Sequence, residues 1–138
     1  MHILFPSESL SVETRLAVDP ATVKKYVKKG IEVGVQSGAG KTVYTDDEFK
    51  EAGAEIVEDP GSCQSEIVAR INPPTDNEIE MLDAETVHIS MMDPFLKPDI
   101  VDKLSSARIT SLSLEMIPRT TRAQKMDVLS SQASLAGY

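Results

Sequence analysis

The sequence predicts an α/β protein of three layers, α/β/α, in which a mostly parallel β-sheet is covered on both faces by helices. Three observations lead there. Short apolar runs rich in β-branched residues alternate along the chain with stretches whose apolar residues recur at helical spacing. The connections between them are short and polar, as in βα units. The 138 residues, 41% hydrophobic and 26% charged, suit one ordinary domain with a real core and exclude a disordered or fibrous chain.

The elements follow in order. The opening HILFP is a short apolar run ended by proline, the first strand. DPATVKKYVKKG begins with Asp19 as N-cap and Pro20 at the first helical position, spaces Val23, Tyr26 and Val27 helically, and closes on Gly30. IEVGVQSGAG is a strand running into a glycine turn, and TDDEFKEAGAEIVED repeats helix, Gly53 stop and strand. After the turn DPGS come SEIVARI, TDNEIEMLD, TVHISMM, KPDIVDKLSSA and RITSLSLE, which continue as strand, helix, strand, helix, strand. No repeat or linker interrupts the chain, so residues 1–138 read as one domain, ending soon after its last strand in a helix begun at Val128.

Composition limits the function. A formal net charge of −8 argues against nucleic acid and anionic membrane as partners, because both are bound by neutralising phosphates. No apolar run approaches the ~20 residues of a membrane helix, and MHILFPSESL lacks the basic flank and long apolar stretch of a secretory signal. The expectation is a cytoplasmic protein, or a soluble part of a larger one, with no direct membrane insertion. Cys63 stands alone and the two histidines are far apart, so no disulfide and no metal site is expected.

In open parallel sheets ligands sit beyond the carboxyl ends of the strands. That selects the loops at 6–18, 37–45, 71–76, 91–98 and 116–127. GVQSGAGKT imitates a phosphate loop, but the spacing fails by one residue: Val35 stands where the first glycine belongs, and the next helix starts at Asp46 or Asp47. The dinucleotide fingerprint fails too, since Gly38 and Gly40 are followed by Val43 in place of its third glycine.

Three polar features remain. Arg15 can grip a carboxylate or phosphate, or form a surface ion pair with Glu8 or Glu13, and position alone favours the ion pair. His88, inside an apolar strand, reads as a partly buried histidine with one satisfied nitrogen. Glu115 ends the last strand, and the run IPRTTRAQKMD follows it. Its donors and acceptors either orient a polar ring or amide, or cap the last helix through Asp127 with the basic residues in solvent. Side-chain chemistry leaves both open.

The stretches ETRLAVDPATVKKYVKKGIEVGVQSGAG, AGAEIVE and above all IPRTTRAQKMDVLSSQASLAGY resemble the amino-terminal region of the alpha subunit of proton-translocating NAD(P) transhydrogenase, in the superfamily shared with alanine dehydrogenase. The likeness covers essentially the whole chain. It implies a flavodoxin-like/Rossmann-like topology. It also implies that Arg119, Gln124 and Asp127, with Ser130 after them, shape a nicotinamide pocket: the catalytic and cofactor-binding candidates of this chain. Lys125 and Ser134 depart from the common form of that segment. Arg15 matches the anion-binding arginine of alanine dehydrogenases. Their lysine would fall at Asn72 and their histidine near Met91, with His88 displaced, so the acid/base groups of deamination are missing.

The resemblance further implies NAD(H) as cofactor, shared with a dinucleotide-binding domain absent from these residues, and NADP(H) on a partner domain. The implied partners are the remainder of the alpha subunit and the NADP-binding and membrane domains, in an assembly whose full protein is a homodimer. The isolated chain would then be inactive. Two other readings stay open: an alanine dehydrogenase-like fragment, and a stand-alone non-catalytic binding module. The apolar surface of the last helix suggests self-association.

Overall fold

The computed structural model describes residues 1–9, 13–40 and 43–137. Its strands and helices run β1 (His2–Phe5), α1 (Pro20–Lys28), β2 (Glu32–Gln36), α2 (Asp46–Ala52), β3 (Glu55–Val57), β4 (Ile67–Ala69), α3 (Asp76–Glu80), β5 (Val87–Ser90), α4 (Pro98–Ser106), β6 (Thr110–Ser113) and α5 (Val128–Ala136). The six strands form one sheet of order β3-β2-β1-β4-β5-β6, every neighbouring pair parallel. This is the doubly wound Rossmann order. The alternative flavodoxin-like order would have interchanged the strands around β1.

Local chemistry sets the helix ends. Asp19 caps α1 by accepting the Thr22 amide at 2.6 Å, with Pro20 where its missing N–H costs nothing. Thr45 and Glu48 form a capping box on α2, as do Thr75 and Glu78 on α3. Gly53 closes α2 at φ 98°, and an added Cβ would stand 3.2 Å from Val27 Cγ1, so the stop requires glycine twice over.

Alternation along the strands divides the core. Ile3, Phe5, Val33 and Val35 face α1 and α2 and pack on Val23, Phe49 and Ala52. Leu4, Val57 and Val68 face the other way, while Ile79, Met92, Leu104 and Ile109 join α3 and α4 at that side. The crossover from β3 to β4 has no α-helix; its only helical turn is the 3-10 segment Pro60–Ser62.

On this second face the middle of the sheet is polar. Arg70, His88 and Ser90 are buried at 3%, 0% and 0% exposure. Ser113 is opposite Ser90 in the β5–β6 ladder. The expectation for His88 is corrected: it is fully buried, and neither ring nitrogen has a hydrogen-bond partner among the described residues. Such a group costs about 1–3 kcal/mol of stability. No helix among the described residues is long and apolar enough to cross a membrane.

Candidate functional site

The strand order reverses between β1 and β4, so the loops that leave their carboxyl ends diverge and open a crevice. Glu8, from the first loop, holds the second. Its carboxylate accepts the Ile71 amide at 2.6 Å, the Asn72 amide at 3.0 Å and Asn72 Nδ2 at 3.0 Å. Asn72 Nδ2 also donates to Glu13 at 3.1 Å. Both donors of the amide are thereby used, and Asn72 is fixed between two carboxylates.

Arg70 anchors this arrangement from below. Its side chain and that of Glu8 are each 2% exposed with Nε 3.9 Å from the carboxylate, and its Nη1 lies 2.7 Å from Glu78. Arg70 Nη2 donates to Ser9 Oγ at 2.6 Å. Burial works against the Glu78 carboxylate, but bonds from Thr75, Ser9 and Arg70 prevail and hold its pKa at about 2.

Arg15 takes the ion-pair alternative. Its Nε and Nη2 donate to the two oxygens of Glu13 at 2.8 and 2.7 Å, a fork-to-fork pair. That pair, chiefly the Arg15 hydrogen bonds, lowers the Glu13 pKa to about 2. Arg15 Nη1 reaches Gln132 of α5 at 3.3 Å. The contact ties the middle of α5 to the loop after β1.

The segment before α5 takes the capping reading of its chemistry at Asp127. Asp127 caps α5, accepting the Ser130 amide at 3.0 Å and hydroxyl at 2.6 Å. Those bonds, with a smaller contribution from the Arg119 charge, hold its carboxyl below the usual carboxylate range. Arg119 and Gln124 are exposed, and their side chains make no hydrogen bond among the described residues. Glu115 accepts the Asp93 amide with one carboxylate oxygen.

The glycine turn after β2 does not hold phosphate. Asp46 accepts the Gly38 amide at 2.9 Å and the Ser37 hydroxyl at 2.8 Å, placing a carboxylate where an anion would bind. Lys41 and Thr42 of that segment lie outside the described residues.

His88 lies in the sheet interior on β5, and Met91 presents no titratable group at the crevice. Burial, and secondarily the nearby Arg70 charge, depress the His88 pKa to about 4, with Glu78 opposing. The folded state therefore holds this imidazole neutral where the unfolded chain would protonate it. The sign follows: stability is fully present above the ordinary value of 6.5 and falls as pH drops from 6.5 towards 4, by up to about 1.4 kcal/mol per pH unit. His88→Leu is expected to flatten this window and to raise stability at neutral pH by about 1 kcal/mol. Urea titrations at a series of pH values measure both effects; an unchanged slope would contradict the assignment.

Arg70 and Glu78 were not singled out by sequence reasoning, and Glu8 only as a surface partner of Arg15, whereas it is buried beside Arg70. A signal existed in SEIVARI: an arginine at an inward position of a buried strand requires carboxylates brought from elsewhere.

Comparison with known proteins places this geometry. The family model described as alanine dehydrogenase/PNT, N-terminal domain, matches residues 4–136. The chain is 37% identical to the NAD(P) transhydrogenase subunit alpha of Haemophilus influenzae, covering 100% of itself and 27% of that protein. It is 30% identical to the alanine dehydrogenase of Mycolicibacterium smegmatis, over 99% of itself and 37% of that protein. The crystal structure of transhydrogenase from Sinorhizobium meliloti superposes with a TM-score of 0.94 at 34% identity, covering 100% of this chain and 42% of that one. The chain thus spans less than half the length of these relatives.

Proposed function

From the membership of this chain in the alanine dehydrogenase/PNT N-terminal domain family, we propose that residues 1–138 are the first domain of a transhydrogenase alpha subunit and form one wall of its NAD(H) nicotinamide cleft. The observation that carries this reading is the Arg15–Gln132 contact, which brings α5 and the 119–130 segment to the crevice where the strand order reverses.

The residues present fit a nicotinamide. Arg119 and Gln124 offer side-chain donors and an acceptor that nothing else in the described chain uses. Asp127 and Ser130 are already locked to each other, so they present a fixed edge. When bound, NAD(H) supplies the hydride. The chain's own part is positioning: Arg119 and Asp127 fix the carboxamide of the ring, Gln124 reaches towards the second nucleotide, and the wall excludes water. No proton transfer is asked of these residues.

The same logic ranks alanine dehydrogenase second. Asn72 carries no amine to act as acid or base, Met91 carries no imidazole, and Arg15 is engaged by Glu13. In the proposed enzyme the phosphates and ribose of NAD(H) are held by a dinucleotide-binding domain, NADP(H) by a partner domain, and hydride transfer is coupled to proton translocation by a membrane part. The full protein would be a homodimer on the cytoplasmic face. Hydride transfer from NADH to NADP is therefore expected to be undetectable with the 138 residues alone and to require the remaining domains. Turnover by the purified chain would contradict the proposal.

A further inference from the structure

The crossover from β3 to β4 holds only the 3-10 turn Pro60–Ser62, and between that turn and the end of α3 the second face of the sheet keeps a cavity of about 280 Å³. Leu4, Val68 and Leu82 line it with apolar surface. The buried ring nitrogens of His88 and Nε of Arg70 are sealed from this space. Met81, 58% exposed, stands at the mouth beside Gly61, where an added Cβ would lie 3.4 Å from its sulfur. The charge of the chain is concentrated around this cavity. Residues 51–96 hold eleven Asp and Glu against one arginine, a net −10, whereas the remaining residues hold eleven acids against thirteen Lys and Arg, a net +2.

We propose that the cavity is a docking site for a basic segment of a partner protein, which seats one apolar side chain in it and lays lysines or arginines along its acidic rim.

Three features select this partner. The apolar lining suits an aliphatic or aromatic anchor, the kind of side chain that carries most of the energy of an interface. The rim is acidic: Asp59 and Asp83 line the cavity, and Glu58 and Glu80 are exposed next to Asp59 and Met81 in the chain. No cation of the lining offsets them. Arg70 is 3% exposed, with Nη1 2.7 Å from Glu78 and Nε 3.9 Å from Glu8, so its charge is met within the fold. A segment of opposite sign gains from that field on approach and once seated.

The same charge disfavours the other occupants. Nucleic acid and anionic lipid would be repelled. A second copy joined through this face by two-fold symmetry would set the acidic region against itself. The inference uses none of the residues assigned to the nicotinamide wall and does not rest on that reading.

The test titrates the isotopically labelled chain with three pentapeptides, Lys-Lys-Phe-Lys-Lys, Lys-Lys-Ala-Lys-Lys and Glu-Glu-Phe-Glu-Glu, and follows the amides of Gly61, Cys63, Met81 and Leu82. The first peptide should give saturable shifts at these amides. The second, which lacks the anchor, should bind about tenfold more weakly, and the third should leave the amides unmoved. Gly61→Leu fills the mouth of the cavity at a position whose backbone is not left-handed, and should weaken the first peptide about tenfold. Glu80→Lys combined with Asp83→Lys reverses two exposed charges and should exchange the preference, so that Glu-Glu-Phe-Glu-Glu moves the same amides. A folded spectrum in which the first peptide moves none of the four overturns the proposal. Equal binding of the two basic peptides also overturns it, because net charge alone would then account for the attraction. Shifts of the same amides on concentrating the chain without peptide would assign the cavity to a second copy and overturn it as well.

Discussion

Arg70→Met is expected to lower folding stability by about 3 kcal/mol, among the largest effects of any substitution in this chain. Methionine matches the length and volume of the aliphatic stem, so little packing is lost. What is lost is the cation buried with Glu8, both side chains 2% exposed. Breaking a buried pair from one side costs about 3–5 kcal/mol because the other charge stays behind in low dielectric. The lower end applies here, since Glu8 keeps three N–H donors from Ile71 and Asn72, and Glu78 keeps its capping box with Thr75. Urea unfolding measures the loss. Adding Glu8→Gln to Arg70→Met should recover part of it, because the neutral amide needs no counter-charge; a loss below about 1 kcal/mol in the single variant would refute a buried ion pair.

The second large effect is catalytic. In the proposed transhydrogenase assembly, Arg119→Ala or Gln124→Ala is expected to lower the rate of hydride transfer by about 10²-fold, the scale of a misplaced reacting group. Both side chains are exposed and make no internal hydrogen bond, so unfolding midpoints should stay within about 0.5 kcal/mol of the parent. That separation identifies the role. If the residues position the ring, kcat falls while the affinity for NADH, held mainly through its phosphates and ribose, changes little. A change of less than about threefold in kcat would remove both residues from the proposed cleft.

Much of the architecture was legible because it depends on local chemistry. Asp19–Pro20 and Gly53 mark helix ends in the sequence and do so in the structure. The alternation of β-branched runs with helical spacing gave a parallel sheet, and the sheet is parallel throughout. The contacts that organise the crevice were less visible, because they join residues about sixty positions apart. Glu8 meets Ile71 and Asn72 only once β1 and β4 are neighbours, a pairing that no local pattern encodes. His88 illustrates the same limit. Its strand was evident, but the shortness of the β3–β4 crossover, which leaves its ring beside a cavity, is a tertiary fact. The roles of Arg119, Gln124 and Asp127 rest on resemblance; what their own chemistry displayed was the cap at Asp127.

The measurement that bears most directly on the nicotinamide wall is a residue-resolved NMR titration of the chain with NADH, following the amides of Arg15, Gln124, Asp127 and Ser130. The account predicts shifts concentrated in the 119–130 segment and at Arg15, weakened by Arg119→Ala and Gln124→Ala. Shifts confined to other loops, or a folded spectrum in which these amides do not move at any NADH concentration, would contradict it.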